Sequence, residues 1–317
     1  MTCRTLVLIL AVFSLIHPAA AQVPALVEHP DFQGIWNSAT ATPLERPARL
    51  KGKEFFTPDE AAEWERQAEA RRKEPKPEVA AKNFASYNTV FYETGTKLLK
   101  SLRTSIITEP ADGRIPALTP AAAAEKSRRL RLLLHPQVPG DLGLQDRCIV
   151  FPTAVAPMIP YIYNSNYQII QTDRELMINV EMIHDTRIIG LDRQAHLSSS
   201  IRLWLGDSIG HWEGNTLVVD TTNFNDGGGF FGDAGGMFGS DRNLHVIERF
   251  SLLDANTMLY RFEVDDPTAF TRTWKGELTV ARTAGPIFEY ACHEGNYALP
   301  NLLNGYRGAA ASAGAGK

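Results

Sequence analysis

The sequence predicts a mainly β protein, an antiparallel meander that closes into a barrel with two peripheral helices packed outside it. Three observations predict this class. From residue 167 onward, short segments of alternating apolar and polar residues recur between turn signals. No helix-period segment separates those strands, which argues against a parallel sheet. Both strong helix-start signals fall earlier, in the N-terminal half, where they would pack outside the meander.

The chain opens on a segment that reads as a leader. Arg4 supplies a short positive region, residues 6–16 an apolar run, and Ala19-Ala20-Ala21 a small-residue cleavage site before Gln22. That run is too short to span a bilayer, and Cys3 precedes it, so no lipid-anchoring cysteine follows it. The expected product is periplasmic or secreted, without a membrane anchor. Residues 1–21 are expected to be signal peptide, 22–307 one domain and 308–317 a disordered Gly/Ala tail. The whole chain has 32 basic and 36 acidic residues, a net charge of −4, and the leader removes only Arg4 from that balance. Nucleic acid is therefore not an expected partner. Export leaves Cys148 and Cys292 in an oxidising compartment, where a pair matches one disulfide; two buried thiols are the alternative.

In the N-terminal half, Gly34-Ile35-Trp36 suits a tryptophan that plugs a barrel base, or simply a core tryptophan after a glycine turn. Thr57-Pro58-Asp59-Glu60 places Thr at N-cap, Pro at N1 and Glu at N3, which predicts a helix to about Lys73 ended by Pro75 and Pro77. Residues up to Asn83 then read as an exposed linker. Residues 102–108 predict a strand, stopped by turn residues from Pro110 to Gly113. Thr119-Pro120 predicts a second helix to about Leu134.

In the meander, residues 167–171 are expected to pair with 176 onward across Thr172-Asp173-Arg174-Glu175. Residues 210–212 are expected to pair with 216–220 across Glu213-Gly214-Asn215, and 244–252 with 258–264 across Asp254-Ala255-Asn256. Met258, Tyr260, Phe262 and Val264 would face one way, as would Trp274, Leu278 and Val280. A Gly- and Phe-rich loop from Asn225 to Gly239, carrying Phe230 and Phe231, reads either as a lid over the barrel mouth or as a connector packed on its wall.

The stretch from Glu175 to Gly190 is a long apolar run with His184-Asp185-x-Arg187 inside it. A period of two puts His184 on the buried face with Val180, Met182 and Ile188, and turns Asp185 and Arg187 away. Catalytic candidates are His184, Asp185, Arg187, His293 and Glu294, with His184 reaching a carboxylate such as Glu294 or Asp220 across strands. Ligand-contact candidates are His211, Trp212, Asp220, Asn223, Phe230, Phe231 and Tyr297. Each histidine is equally a satisfied core or rim residue, and Arg187 an ordinary ion pair with Glu181 or Asp185. No pair of histidines has a standard metal spacing and no Gly-x-Ser-x-Gly elbow is present, so no metal and no cofactor are expected. The expected function is binding of a small, partly apolar ligand. The alternative is a secreted hydrolase, lyase or isomerase with His184 and His293 as general acid and base.

Several stretches carry a resemblance. They are Gly34-Ile-Trp36 with Thr42-Pro-Leu-Glu-Arg-Pro47, Arg103-Thr-Ser105 with Asp112-Gly-Arg-Ile-Pro116, Arg147-Cys148, His184-Asp-x-Arg187, Gly206-Asp-Ser-x-Gly-x-Trp-Glu-Gly-x-Thr-Leu-Val-Val219 through Thr221-Thr-Asn-Phe224, Glu248-Arg-Phe250 and Ala291-Cys-His-Glu-Gly-Asn-Tyr297. Together they resemble a family of exported bacterial proteins of uncharacterised function, and the barrel they imply is similar to the lipocalin group. The resemblance implies one co-linear domain over nearly the whole mature chain, and brings no reaction, cofactor or substrate with it. Two departures stand out: His211 stands where the family typically has Arg, and the Gly-rich loop replaces a shorter, more polar segment.

Overall fold

The computed structural model describes residues 29–73, 94–151, 153–225 and 242–315. Its centre is a closed barrel of nine strands. These are β1 (Gly34–Asn37), β3 (Asn166–Gln171), β4 (Glu175–Val180), β5 (Thr186–Gly190), β6 (Asp207–Glu213), β7 (Thr216–Thr222), β8 (His245–Asp254), β9 (Thr257–Asp265) and β10 (Trp274–Thr283). They pair in that order, and β1 closes the ring by lying between β3 and β10, with Trp36 opposite both Tyr167 and Arg282. The short β2 (Ile107–Glu109) shares the free edge of β10 with β1. Helices α1 (Pro58–Lys73) and α2 (Pro120–Leu134) lie outside the barrel strands and begin at the expected Thr-Pro signals.

Three expectations are corrected. The meander contains one parallel pair, β5 with β6, because residues 191–206 cross back along the wall instead of turning tightly. The expected strand at 102–108 is reduced to a single bridge at Arg103, opposite Phe55, and the short pairing Ile107–Glu109. The tail is not irregular: α3 runs Ala298–Ala315, as its alanine-rich composition permits, so among the described residues three α-helices accompany the barrel. The leader and most of the linker and of the Gly-rich loop lie outside the described residues. Among the described residues no helix is long and apolar enough to cross a membrane.

The two ends of the barrel differ. At one end the strands are joined by tight turns at 172–174, 214–215 and 255–256, as the turn residues predict. At the other end lie the connections 181–185 and 266–273, the end of β7, the start of β8 and the long entry to β3. Both ends are corked. Phe32 and Trp212 stack at the turn end, and His29 stacks on Trp212 at 4.3 Å. Trp36 points inward there, its indole N–H donating to the Phe32 carbonyl at 2.8 Å while the Arg282 guanidinium lies 4.3 Å above its ring. At the loop end, Leu144, Val150, Phe151, Val155 and Met158 join the barrel core. The cork is fastened to the C-terminal segment by the Cys148–Cys292 disulfide.

Between the corks the described side chains pack the interior closely. Alternation on β9 sends Met258, Tyr260, Phe262 and Val264 inward, and β10 adds Trp274, Leu278 and Val280. Gly276 belongs to the packing, since a Cβ there would sit 2.1 Å from the Phe262 ring. The void bounded by Tyr167, Ile178, Phe250 and Tyr260 measures about 10 Å³, too small for anything larger than one water.

The interior also holds a charge pair. Arg187 and Glu248 are 2% and 0% exposed, and the two Arg187 amino groups grip both Glu248 oxygens, with Nη1 to Oε1 at 2.8 Å. The remaining donors of Arg187 reach Ser208 Oγ at 3.1 Å and Thr221 Oγ1 at 2.8 Å. Tyr260 donates its hydroxyl to Glu248 at 2.8 Å and accepts the Met158 N–H at 2.9 Å, which ties the loop-end cork to the network. Burial, with the Glu248 charge beside it, pushes the Tyr260 phenol well above its usual range. A buried pair of this kind is costly to break and cheap to replace by matched apolar groups. Glu248→Ala should therefore lower stability in urea melts by about 3–5 kcal/mol, while Arg187→Met with Glu248→Leu should recover most of that loss. A double variant no more stable than Glu248→Ala would contradict this account.

Candidate functional site

The surroundings of His184 differ from the expectation. β4 ends at Val180, and the chain turns through residues 181–185 with left-handed φ at Ile183 (61°) and His184 (49°). When β5 begins at Thr186 the inward phase has shifted by one residue. Arg187 and Ile189 point in, Thr186 and Ile188 point out, and His184 is exposed on the turn. Its Nδ1 is 2.9 Å from the Tyr290 carbonyl, so the expected contact with Glu294 or Asp220 is replaced by one to the backbone beside Cys292. Arg187 likewise pairs with Glu248, not with Glu181 or Asp185. Glu181 accepts instead from Asn166 Nδ2 at 2.7 Å and from the Phe288 N–H at 2.9 Å.

Asp185 is half-buried, and its Oδ2 has no hydrogen-bond partner among the described residues. Burial pushes its carboxyl up to about 6, against the nearby His184. His293, Glu294 and Tyr297 are exposed on the turn that leads into α3, and Asn296 Nδ2 lies 3.6 Å from Cys148 Sγ. His211 is exposed and faces Glu213 at 3.2 Å. Trp212 belongs to the turn-end cork, and Phe230 and Phe231 lie outside the described residues.

Asp220 and Asn223 enter an arrangement the sequence did not announce. Outward-facing Asp207, Asp220 and His245 meet the crossover 191–206, which lays Arg193 and His196 against the wall near the loop end. His196 bridges two carboxylates, with Nδ1 3.0 Å from Asp207 and Nε2 3.1 Å from Asp220. It makes both bonds only when both nitrogens carry hydrogen. His245 Nε2 is 3.0 Å from the same Asp220 oxygen. Arg193 grips Asp207 at 2.7 and 2.9 Å, the Leu197 N–H adds 2.8 Å, and Asn223 Nδ2 donates to the Leu197 carbonyl at 3.0 Å. Burial pushes the Asp207 carboxyl up, but Arg193, the Leu197 N–H and His196 outweigh it and bring it down to about 2. Burial acts the same way on Asp220 and is outweighed by His245 and His196, so that carboxyl lies below its usual range. The hydrogen bond with Asp220 raises His245 in turn. Asp207, His196, Asp220 and His245 thus form one continuous chain ending in a half-exposed imidazole. Among the described residues no group of three or more His, Cys, Asp or Glu is arranged to hold a metal ion.

A third feature is concave. A cleft of about 310 Å³ opens between α2, residues 140–147 and Trp204 of the crossover. Leu142 and Leu144 are buried and form its floor, Leu132 and Leu133 one side, and Trp204, 39% exposed, the other. Arg128, Arg129 and Arg147 supply its charge. A wider hollow of about 520 Å³ over β8–β10 is lined by Arg249 and by charges that are mostly paired: Arg103 with Glu54, Arg261 with Glu277, and Lys275 with Glu109 and Glu263. Of the two, the smaller has an apolar floor.

The fold and these features define a corked, mixed-strand barrel with a buried charge pair inside it, and with its His–Asp chain and its cleft on the outer wall. No model of a known protein family, no curated protein and no solved structure matches the chain.

The orphaned carboxyl of Asp185 has a testable sign. Its folded-state value of about 6 lies above the ordinary carboxylate value of 3.8, so the folded state holds the proton more tightly. The stabilisation is complete below the unfolded value and is lost as pH rises through about 6. Asp185→Asn should therefore melt higher than the parent at neutral and alkaline pH, with the gap closing as pH falls below about 6. A gap independent of pH would show that the carboxyl is solvated.

Proposed function

We propose that the chain is an exported, periplasmic or secreted protein that binds a small, partly apolar ligand, and that it does so outside the barrel. The signal-like leader, the disulfide and the family resemblance support export. The observation that carries the binding reading is the cleft between α2, residues 140–147 and Trp204. It is an apolar-floored concavity near the small end of the volumes ligand sites occupy, on a barrel whose described side chains pack its interior closely. The likeness to the lipocalin group, on this reading, lies in the closed sheet and the corking tryptophan. Gly140 provides the test, because it lines the cleft and a Cβ there would meet nothing within 4 Å. Native mass spectrometry of protein purified from its own host should find a small molecule on the parent and none on Gly140→Phe, with unchanged melting. A molecule retained by Gly140→Phe would place the binding elsewhere.

The enzyme reading keeps one specific observation in its favour, the chain from Asp207 through His196 and Asp220 to His245. A carboxylate that orients an imidazole is the arrangement of a general acid or base. His245 has one, whereas among the described residues His184 meets only a backbone carbonyl and the ring of His293 has no hydrogen-bond partner. On this reading His245→Asn abolishes conversion of the co-purified molecule while leaving its binding intact. If the chain only fastens the crossover, the same change lowers the melting temperature and no conversion is seen in either protein.

A further inference from the structure

We propose that the cleft selects an amphipathic anion, with Arg147 holding the charged head and Trp204 covering the apolar body. The inference rests on the reading of the cleft as the binding site and adds the chemistry of what enters it. The three lining arginines are not equivalent. Arg128 reaches both oxygens of Glu125 at 2.7 Å and Arg129 reaches one of them at 2.7 Å, so these two are committed to a carboxylate of their own helix. Together they bring that carboxyl down to about 2 and leave a net positive charge beside it. Arg147 differs. It is only half exposed, and among the described residues it donates only from Nε, to the Gly143 carbonyl at a long 3.4 Å. The fork of its two amino groups is the geometry that grips a carboxylate, sulfonate or phosphate at two points.

The acidic residue in the cleft does not cancel this charge. Asp141 Oδ2 already accepts the N–H groups of Gln137 at 2.8 Å and Val138 at 3.0 Å. The lining therefore carries three guanidinium groups against one carboxylate engaged by the backbone, in a chain whose overall charge is −4. With Glu125 counted against Arg128 and Arg129, a surplus of positive charge remains at the cleft, and such a surplus attracts anions. The leucine floor and the half-covered indole then favour an apolar body next to the head. An inorganic anion would leave that surface wet, and a neutral apolar molecule would bury part of Arg147 without a partner.

A matched pair of fluorescent probes tests the anion requirement: 1-anilinonaphthalene-8-sulfonate and N-phenyl-1-naphthylamine, which share the aromatic body and differ by the sulfonate. With the mature full-length chain, the sulfonate is expected to bind about tenfold or more tighter than the neutral probe, an advantage that shrinks as salt rises. Arg147→Gln should bring the two affinities to within about twofold without weakening the neutral probe, and Arg147→Lys should restore part of the difference. Trp204→Phe should lower energy transfer from tryptophan to the bound probe by more than the loss of one of five tryptophans alone would, and Gly140→Phe should exclude both probes. Equal affinity of the two probes for the parent, with both lost in Gly140→Phe, would overturn the anion inference and leave the cleft as the binding site. Binding of the sulfonate that neither Arg147→Gln nor Gly140→Phe alters, or no binding of either probe, would overturn the cleft reading as well.

Discussion

The Arg187–Glu248 pair is the constraint on which the rest of the barrel depends. It joins β5 to β8 across the interior, and its satellites bring in β6 through Ser208, β7 through Thr221 and β9 through Tyr260. Tyr260 then passes the connection to the backbone of Met158 in the loop-end cork. Five strands and one cork are thereby held in a single register. A slip of one residue in any of them would turn its partner to the outside and leave a buried charge without a counter-charge. The network is better understood as fixing which barrel forms than as adding to its stability, since apolar residues of matched volume would fill the same space at no greater cost.

This reading also accounts for several of the polar stretches singled out in the sequence. In Gly206-Asp207-Ser208 each residue serves a different surface. Gly206 allows Thr222 and Phe224 to approach, Asp207 faces the crossover, and Ser208 faces Arg187. Thr221 faces inward and Asn223 ties down the crossover loop. Glu248 and Phe250 are both inward on β8. The stretches at 184–187, 206–224 and 248–250 therefore build the polar core and fasten the one parallel connection. Arg147 and Trp204 stand on the cleft outside that framework.

Much of the fold was legible because its signals are local. Thr57-Pro58 and Thr119-Pro120 start helices at the expected residues, and the Gly214-Asn215 and Ala255-Asn256 turns join the expected strands. The site was less legible, for two physical reasons. Periodicity carries phase only within one strand, and the turn at Ile183 and His184 adds a shift that no propensity announces, so His184 and Arg187 exchanged places. A signal for the true partner was present: Glu248 alternates in phase with Val246 and Phe250, an acid in an apolar face. His196, by contrast, lies in an irregular crossover, and nothing in its neighbourhood ties it to Asp207 or Asp220 before the chain is folded.

The position of β1 carries a consequence for how the chain reaches this state. β1 is the first strand to be made, yet it closes the ring against β10, the last, at Ile35 opposite Thr283. Until β10 has emerged, the edges of β1 and β9 remain open to any extended segment they meet, including those of another copy. Hairpins such as β8–β9 form from neighbours in sequence, whereas closure waits on a pairing with a very long loop between its ends, which is the slow kind of step. The Cys148–Cys292 link, spanning 144 residues, reaches from the cork to the segment beyond β10. It too is a late event, and it locks a ring whose last gap has just been filled.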